Sequence, residues 1–308
     1  MPGRMQKMNI LVDNHSFPIS KLDKIFWPED KYTKGDLIKY YMDISPYILK
    51  HLYNRPVVFT RYPDGIEGKH FYQKNAPAYL PSWIETFSQY SKDSERHIEY
   101  ILIKEAAVLA WLANQACIEM HAWLSSISSL DHPDFAVIDL DPSPDNSFQE
   151  VIDIALLVKN VFHELNLRSY PKTSGSEGLH IYLPLKNIYT YNQVREFAQA
   201  VAALTAEIRP DISTIERTVS KRGPKIYIDY LQNVKGQTLC SAYSVRPRKG
   251  ALVSAPLKWE EVPLISPADF TIKTILPRLK KAGELFAPVL EDKQVLEQAS
   301  QKLGLQIS

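Results

Sequence analysis

Alternation of apolar and polar residues marks several short stretches of the chain as β-strands. Side chains of a strand point alternately to its two faces, so period-two alternation predicts one buried and one polar face. In two of the predicted strands, aspartates lie on one face and residues that point into the core lie on the other. The stretches are RPVVFTRY (55–62), CIEMHAWL (117–124), DFAVIDLD (134–141), LHIYLPL (179–185) and KIYIDYL (225–231).

Apolar residues spaced three and four apart predict helices throughout the chain. Before the first of them, Thr33 with Asp36 three residues later has the pattern of a helix-capping box. Because strands and helices are mixed along the whole length, the pattern predicts an α+β or α/β fold with no clear domain boundary. The first predicted helix follows Thr33 and covers 34–52, and the others cover 104–116, 147–165, 191–208, 266–281 and 292–303.

Composition narrows the class of protein. The 308 residues are 45% apolar and 23% charged, which is ordinary for a globular protein. We find no apolar run of the roughly 18 residues that a membrane helix needs, and the N-terminus is too polar for a signal peptide. The two cysteines, Cys117 and Cys240, lack metal-site spacing. We therefore expect a reduced, cytoplasmic protein with no membrane partner.

The net charge of +1 is uninformative, but its distribution is not. A basic strip runs from Arg217 to Lys249, and its only acid is Asp229. Between Asp131 and Glu164, acids prevail instead. A basic strip beside an acidic cluster suits a site that binds a polyanion through metal ions. Two separate solvated faces are the alternative interpretation.

Three aspartates form the candidate catalytic group. Asp139 and Asp141 project from the same side of their strand, and two carboxylates this close repel unless a cation lies between them. Oxygen ligands suit Mg²⁺ or Mn²⁺, and Asp229 repeats the pattern on a second strand. Three acids on strand faces are the usual ligands for two metal ions in phosphoryl transfer. Alternatively, the Asp-x-Asp-Pro segment only ends a strand and begins a solvated turn.

The segment SGSEGLH (174–180) is a second candidate for phosphate binding. Its glycines allow backbone amides to approach a polyanion, while Ser174 and His180 offer side-chain donors. The alternative is a hairpin turn followed by a structural histidine. No P-loop motif is present.

Taken in order, these motifs resemble a known family. DLD (139–141), SGSEGLH (174–180), YIDYLQN (227–233) and YSVRPRKGALVSAPLKWEE (243–261) resemble the polymerase domain of bacterial DNA ligase D, of the archaeo-eukaryotic primase superfamily. Segments such as LDKIFWPEDKYTKGDLIKYY (22–41) and EMHAWLSS (119–126) extend the resemblance over almost the whole chain. It implies a primase-polymerase type α+β fold, with mixed and antiparallel sheets forming a catalytic cleft flanked by helices.

The resemblance also implies a domain organisation. We expect a single primase-polymerase domain over residues 10–306. Its parts would be a DNA-end-binding part at about 10–115, a catalytic core at about 116–262 and C-terminal helices at about 264–306.

By the same resemblance, Asp139, Asp141 and Asp229 would be the catalytic residues and the ligands of two divalent ions, Mn²⁺ or Mg²⁺. An NTP or dNTP would be the substrate. The contacts to that nucleotide would come from His121, Lys172, Ser174, His180, Arg246 and Arg248.

Further residues match DNA contacts of the family. Lys24 and Lys34 match lysines that hold a 5′ phosphate at a gap or break, and Phe71 and Tyr72 match aromatics that stack near the templating base. Arg61, Lys74 and Arg222 would also contact DNA. Without the resemblance, ordinary structural or surface roles account for all of these residues.

Two departures from the family concern Gln232 and the ligase motif. Gln232 stands where many relatives have arginine, and the KxDG ligase motif is absent because Tyr62 precedes Pro63-Asp64-Gly65. We therefore expect a stand-alone polymerase, working near the nucleoid with a separate DNA ligase and a Ku-type end-binding protein.

The predicted activity is template-directed nucleotidyl transfer onto 3′ ends at gaps, breaks and overhangs during non-homologous end joining, with ribonucleotides accepted. The alternatives are a primase, a two-metal nuclease and a non-catalytic DNA-end-bridging module.

Overall fold

The computed structural model describes residues 8–92 and 94–306, which form two compact units. The first unit contains the described part of Met1–Ala122 together with Cys240–Val253 and Phe270–Lys281. The second contains Trp123–Leu239, Ser254–Asp269 and the described part of Ala282–Ser308. No helix among the described residues is long and apolar enough to cross a membrane.

The described residues contain fifteen strands, most of them short. They are β1 (Met8–Val12), β2 (His15–Ile19), β3 (Ile25–Trp27), β4 (Tyr32–Thr33), β5 (Val57–Arg61), β6 (Phe71–Gln73), β7 (Thr86–Ser91), β8 (Arg96–Ile101), β9 (Cys117–Trp123), β10 (Phe135–Asp141), β11 (Tyr170–Thr173), β12 (Leu179–Pro184), β13 (Ser213–Thr214), β14 (Ile226–Asp229) and β15 (Thr238–Cys240).

Eight α-helices accompany these strands in the same residues. They are α1 (Lys34–Leu52), α2 (Ala106–Asn114), α3 (Phe148–Glu164), α4 (Tyr191–Ile208), α5 (Val219–Arg222), α6 (Ile275–Ala282), α7 (Pro288–Glu291) and α8 (Glu297–Lys302).

In the first unit, antiparallel strands surround β5. Strand β9 pairs with β5 on one side. On the other side, β8 pairs with the start of β5 and β6 pairs with its C-terminal end. Strand β7 pairs with β8. Helices α1 and α2 contact each other. The buried residues of α2 are apolar, and Leu109 and Leu112 are fully buried. Helix α1 begins at the predicted capping box, in which the Thr33 hydroxyl accepts from the amide of Asp36.

The second unit contains a five-stranded sheet in the order β11-β12-β10-β14-β13. All neighbours are antiparallel except β13 and β14. Helices α3 and α4 contact β10 and each other. Leu140 of β10 faces Leu179 on β12 and Ile228 on β14, and all three are fully buried. Because side chains alternate along a strand, the opposite face of the sheet carries Asp139 and its strand neighbours.

These observations confirm the mixed α+β fold class and the helices and strands that carry the predicted site. The predicted C-terminal helices are wrong in extent. Helix α6 begins only at Ile275, because Thr271 and Thr274 cap the segment and Leu252 forms a β-bridge with Thr271. The stretch predicted as one helix at 292–303 is helical only in α8, and α7 precedes it.

Candidate active site

Three aspartates meet where β10 and β14 end. Asp139 on β10 lies directly opposite Asp229 on β14, and Asp141 follows two residues later on the same face. One carboxylate oxygen from each residue lies within 4.8 Å of the others. Asp139 is buried, whereas Asp141 is exposed. Like charges this close require a compensating cation, and a set of carboxylate oxygens suits a hard divalent ion.

Asp229 is held by donors from its own strand and the following turn. Its carboxylate accepts from the amide of Leu231 at 2.7 Å, from Gln232 Nε2 at 3.1 Å and from the Tyr227 hydroxyl at 3.3 Å. Burial raises the pKa of Asp229, and these three donors oppose that rise without cancelling it. Gln232 thus orients an acid of the site.

His180 and Lys172 lie in line with the aspartates. His180 on β12 faces Asp139, and Lys172 on β11 faces His180. The Lys172 ammonium lies 2.7 Å from His180 Nδ1, while His180 Nε2 lies 3.3 Å from Asp139 Oδ1. Lys172 is 0% exposed. Lys172, which we predicted to contact the nucleotide, is thus buried with its ammonium beside His180.

The turn of SGSEG is closed by its own hydrogen bonds. The Ser174 hydroxyl accepts from the amides of Ser176 and Gly178, both at 3.1 Å, and the Ser174 amide donates to the Gly178 carbonyl. A side chain at Gly178 would place its Cβ 2.1 Å from the Leu140 carbonyl oxygen. Gly178 is therefore needed because β10 passes so close to the turn, between Asp139 and Asp141.

In the first unit, Glu119 organises two of the predicted nucleotide contacts. Its Oε1 forms an ion pair with Arg246 at 2.8 Å and lies 4.0 Å from His121 Nε2. The Tyr62 hydroxyl donates to Oε2 at 3.3 Å. Burial raises the pKa of Glu119, but His121 and Arg246 outweigh burial and lower it to about 2. Arg248 contributes its backbone carbonyl to a hydrogen bond from Trp27 Nε1.

The two lysines predicted to hold a 5′ phosphate are brought together at the start of α1. The Lys34 amide donates to the Lys24 carbonyl, and the Lys34 ammonium donates to the Ser20 carbonyl at 2.7 Å. The Lys24 ammonium donates to Asp64 at 2.7 Å. Burial, together with the charges of Lys21 and Lys24, lowers the pKa of Lys34 to about 8. Lys21 is a third cation that the sequence did not single out.

Two adjacent aromatic residues are exposed on β6. Phe71 is 44% exposed and Tyr72 is 51% exposed, and the Arg61 guanidinium lies 5.1 Å from the Phe71 ring. An open groove of about 420 Å³ begins beside them and is lined by Tyr72, Gln73, Lys74, Asn75, Ser91, Ser94, Arg96 and Ile98. In the second unit, Arg222 lies over the Tyr227 ring at 4.2 Å.

Comparison with known proteins identifies the family. Residues 33–286 match the model of the LigD primase-polymerase domain. The chain belongs to this family. It is therefore a nucleotidyltransferase domain of the primase-polymerase type, as the motifs predicted.

The relatives are longer than this chain. It is 37% identical over 280 residues to the bifunctional non-homologous end joining protein LigD of Bacillus subtilis, covering 88% of this chain and 45% of that protein. It is 31% identical over 277 residues to the multifunctional LigD protein of Mycolicibacterium smegmatis, covering 89% of this chain and 36% of the relative. The chain thus spans less than half the length of these two LigD proteins.

A solved structure has the same fold. The polymerase domain of Mycobacterium tuberculosis ligase D, in complex with DNA, superposes with a TM-score of 0.82 at 26% identity. The match covers 90% of this chain and 98% of that domain.

Sequence reasoning missed several residues that support the site. Glu119 is part of a strand pattern and gave no signal of its own. Ser254, whose hydroxyl oxygen lies 2.6 Å from the Lys172 ammonium, lies in an irregular segment. Gln232 was noted only as a departure from the family. An acid at a buried strand position, as at Glu119, is the signal that could have been followed, because buried charges require partners.

Proposed function

We propose that this chain extends nucleic-acid 3′ ends with nucleoside triphosphates at gaps, breaks and 3′ overhangs in DNA. One observation carries the proposal: two neighbouring strands bring Asp139, Asp141 and Asp229 together with carboxylate oxygens within 4.8 Å. Membership of the LigD primase-polymerase family supports the choice of nucleotidyl transfer over hydrolysis.

The three carboxylates fit a pair of divalent cations, Mn²⁺ or Mg²⁺. When bound, such ions neutralise charge on the triphosphate and favour ionisation of the attacking 3′ hydroxyl. Asp139, with its buried carboxylate, would hold both ions, and the exposed Asp141 would hold them from the solvent side. Asp229 completes the set in an orientation maintained by Gln232 and Leu231.

Chain residues then position the nucleotide. His180 projects from the same sheet face as Asp139, and Ser174 is fixed by two backbone amides. We assign both to the triphosphate, where their donors offset phosphate charge. We assign His121, which we predicted to contact the nucleotide, to the nucleotide sugar. Arg246 and Arg248 keep theirs with the nucleotide.

DNA binding is part of the proposal and rests on a relative whose structure contains DNA. The exposed Phe71 and Tyr72 would stack on bases near the template, because exposed neighbouring aromatics are a common platform for single-stranded bases. Lys74 and Arg96 of the adjacent groove would follow the phosphates, with Arg61 supporting Phe71. Arg222 is a further candidate contact in the second unit.

The cellular role that we propose is end joining in the cytoplasm, near the nucleoid. The LigD relatives are non-homologous end joining proteins, and the chain covers less than half of each. We propose that a DNA ligase and a Ku-type end-binding protein act with it, and that ribonucleotides are accepted beside deoxynucleotides.

Primer extension on a gapped duplex with a 5′ phosphate tests the proposal. NTPs and dNTPs are compared with Mg²⁺ and with Mn²⁺, and a duplex without a primer is included. Templated extension of the 3′ end supports the polymerase. Synthesis without a primer indicates a primase, shortening of the strand indicates a nuclease, and binding without either indicates a bridging module.

A further inference from the structure

A row of four side chains crosses the sheet of the second unit. Lys172, His180, Asp139 and Asp229 are successive register partners on β11, β12, β10 and β14. Register partners share a face and lie one strand spacing apart, so the four form a continuous line. A cation stands at one end of the line, two carboxylates stand at the other, and an imidazole lies between them.

Lys172 occupies a fully buried position in this row. Its ammonium lies 2.7 Å from His180 Nδ1, 2.6 Å from Ser254 Oγ and 5.7 Å from the centre of the Tyr182 ring. A buried charge is costly unless hydrogen bonds and nearby opposite charges compensate it. The side chain is 0% exposed, so His180 is the group through which Lys172 can act on the row.

Two contacts of His180 constrain where its ring protons lie. His180 Nε2 lies 3.3 Å from Asp139 Oδ1, and a carboxylate oxygen at that distance favours an N–H on Nε2. His180 Nδ1 then either accepts from a lysine ammonium or belongs to an imidazolium that faces a neutral amine. Both states carry the same total charge. In the first state the buried ammonium donates to Nδ1, and the single ring proton, on Nε2, faces the Asp139 carboxylate.

Ser254 agrees with this assignment. Its hydroxyl donates to the Thr173 carbonyl at 2.7 Å, so its oxygen accepts from Lys172. The Lys172 ammonium therefore has two acceptors, Ser254 Oγ and His180 Nδ1.

We propose that Lys172 is a positioning residue that holds His180 as the Nε2–H tautomer, with its ring directed at Asp139 and the phosphates of an incoming nucleotide. The part about phosphates rests on the proposed function, whereas the pairing of Lys172 with His180 does not. A cation beside Nδ1 excludes the other tautomer and strengthens the Nε2–H donor by polarising the ring.

The tautomer can be measured without nucleotide, metal or activity. In protein labelled with ¹⁵N-histidine, the His180 signals are assigned by their absence in His180→Gln. We expect an unprotonated Nδ1 and a protonated Nε2 in the wild type, and a mixture of tautomers in Lys172→Met. A protonated Nδ1 in the wild type, or an unchanged His180 spectrum in Lys172→Met, overturns the inference.

Lys293→Met is the matched control. Lys293 lies in the same unit, pairs with Asp134 at 3.3 Å and lies over the Phe135 ring at 5.4 Å. Like Lys172, it lies over an aromatic ring of this unit, but it does not belong to the row. The His180 spectrum should be the same in Lys293→Met as in the wild type.

Single-nucleotide incorporation supplies an independent measurement. Lys172→Met should lower kcat/KM for the nucleotide by about 10- to 100-fold, as loss of an outer hydrogen-bonding partner does at metal sites. Because Lys172 acts through His180, it should cause no further loss in a His180→Ala background. Additive losses overturn the inference. A wild type without extension activity overturns the proposed function instead, and the tautomer measurement still decides the pairing.

A third comparison leaves Lys172 in place, in case Lys172→Met does not fold. The amide of glutamine reaches the position of Nε2, whereas the amide of asparagine reaches only that of Nδ1. His180→Gln should therefore retain more incorporation than His180→Asn, with both variants checked by circular dichroism. Equal activity, or more activity in His180→Asn, contradicts an Nε2–H donor.

Discussion

Asp139 and Asp229 face each other across two paired strands, and Asp141 adds a third carboxylate to the same face. Asparagine at each position preserves shape and removes the charge. We expect each variant to lose extension by roughly a thousandfold or more, because metal ions supply several kcal/mol and about 1.4 kcal/mol is a factor of ten. DNA affinity, measured by fluorescence anisotropy, should change little.

Asp145→Asn serves as the control for this prediction, because Asp145 is an exposed acid of the following loop. Its extension rate should match the wild type. Normal extension by any one of the three aspartate variants would remove that residue from the proposed metal site.

Glu119 provides a pH-dependent prediction at the same scale. Its folded-state pKa of about 2 is below its ordinary value of 4.5, so the stability that it contributes is present above the ordinary value. That contribution is lost as the pH falls from about 4.5 through about 2. A shift of this size corresponds to roughly 3 kcal/mol. Glu119→Gln should remove this contribution, so urea unfolding of wild type and variant should converge on acidification.

Arg246 gives the same experiment a second readout. The guanidinium forms an ion pair with Glu119, so Glu119→Gln should also raise the KM for the nucleotide if Arg246 contacts it. If the free energies of unfolding of the two proteins change in parallel between about pH 5 and pH 3, Glu119 is not the group that causes the loss of stability on acidification.

At the scale of elements, the turn after β11 depends on one close approach. An alanine Cβ at Gly178 would lie 2.1 Å from the carbonyl oxygen of Leu140, between two of the three aspartates of the proposed metal site. Gly178→Ala should destabilise the protein by about 1–3 kcal/mol, the usual cost of overpacking, and should also slow extension by displacing β10.

Gly223→Ala is the comparison for that variant. No atom lies within 4 Å of its added Cβ, so its cost is confined to the positive φ of 64°. We expect a loss of about 1–3 kcal/mol from backbone strain alone, because its φ of 64° with ψ of −164° is a conformation essentially restricted to glycine. Equal thermal stability of Gly178→Ala and the wild type would show that the turn can move away from β10 at no cost.

The start of α1 makes a second prediction at this scale. Burial and neighbouring lysines lower the pKa of Lys34 to about 8, so its charge is lost as the pH rises through that value. A terminal phosphate needs the charged form. The preference for a 5′ phosphate over a 5′ hydroxyl on a gapped duplex should therefore decline between about pH 7 and pH 9, as measured by dissociation constants.

Alanine variants test the same pocket. Lys24→Ala and Lys34→Ala should each reduce the preference about tenfold or more, because a charge-assisted contact is worth roughly 1.5–3 kcal/mol. Lys39→Ala is the control, since Lys39 lies on the exposed side of α1 and pairs with Asp43. A wild type that binds both duplexes equally contradicts recognition of the 5′ end.

At the scale of the whole molecule, charge is nearly balanced, with 36 basic and 35 acidic residues. Within the basic strip, Lys235 pairs with Asp131, Arg246 with Glu119 and Lys249 with Glu29. Not every cation of the strip is therefore available to phosphates. We expect DNA affinity to fall with salt at a log–log slope of about −0.9 per phosphate contact, with fewer contacts than the strip has cations.

A titration of a duplex at several salt concentrations measures this slope. Binding that is insensitive to salt would exclude the cations of the strip as contacts to DNA phosphates. The strip contains eight lysines and arginines. A slope that corresponds to eight phosphate contacts would show that DNA displaces the ion pairs within the protein.

The sequence by itself determined the local elements and the residue types of the site. Helix α4 has the predicted bounds, and the Thr33–Asp36 box caps α1 as expected. These features depend on neighbours only a few residues apart, because helix hydrogen bonds, caps and strand alternation are local. The order of motifs identified the family for the same reason: each motif is a short, contiguous pattern.

Only the tertiary structure decided which of these residues meet. Asp139 faces Asp229 through the pairing of strands that are distant in sequence, and the row continues through His180 to Lys172. The burial of Lys172 and the fit of Gly178 against Leu140 depend on the same register. Strand register is set by the packing of a whole sheet, and a slip of one residue would turn each of these side chains to the opposite face.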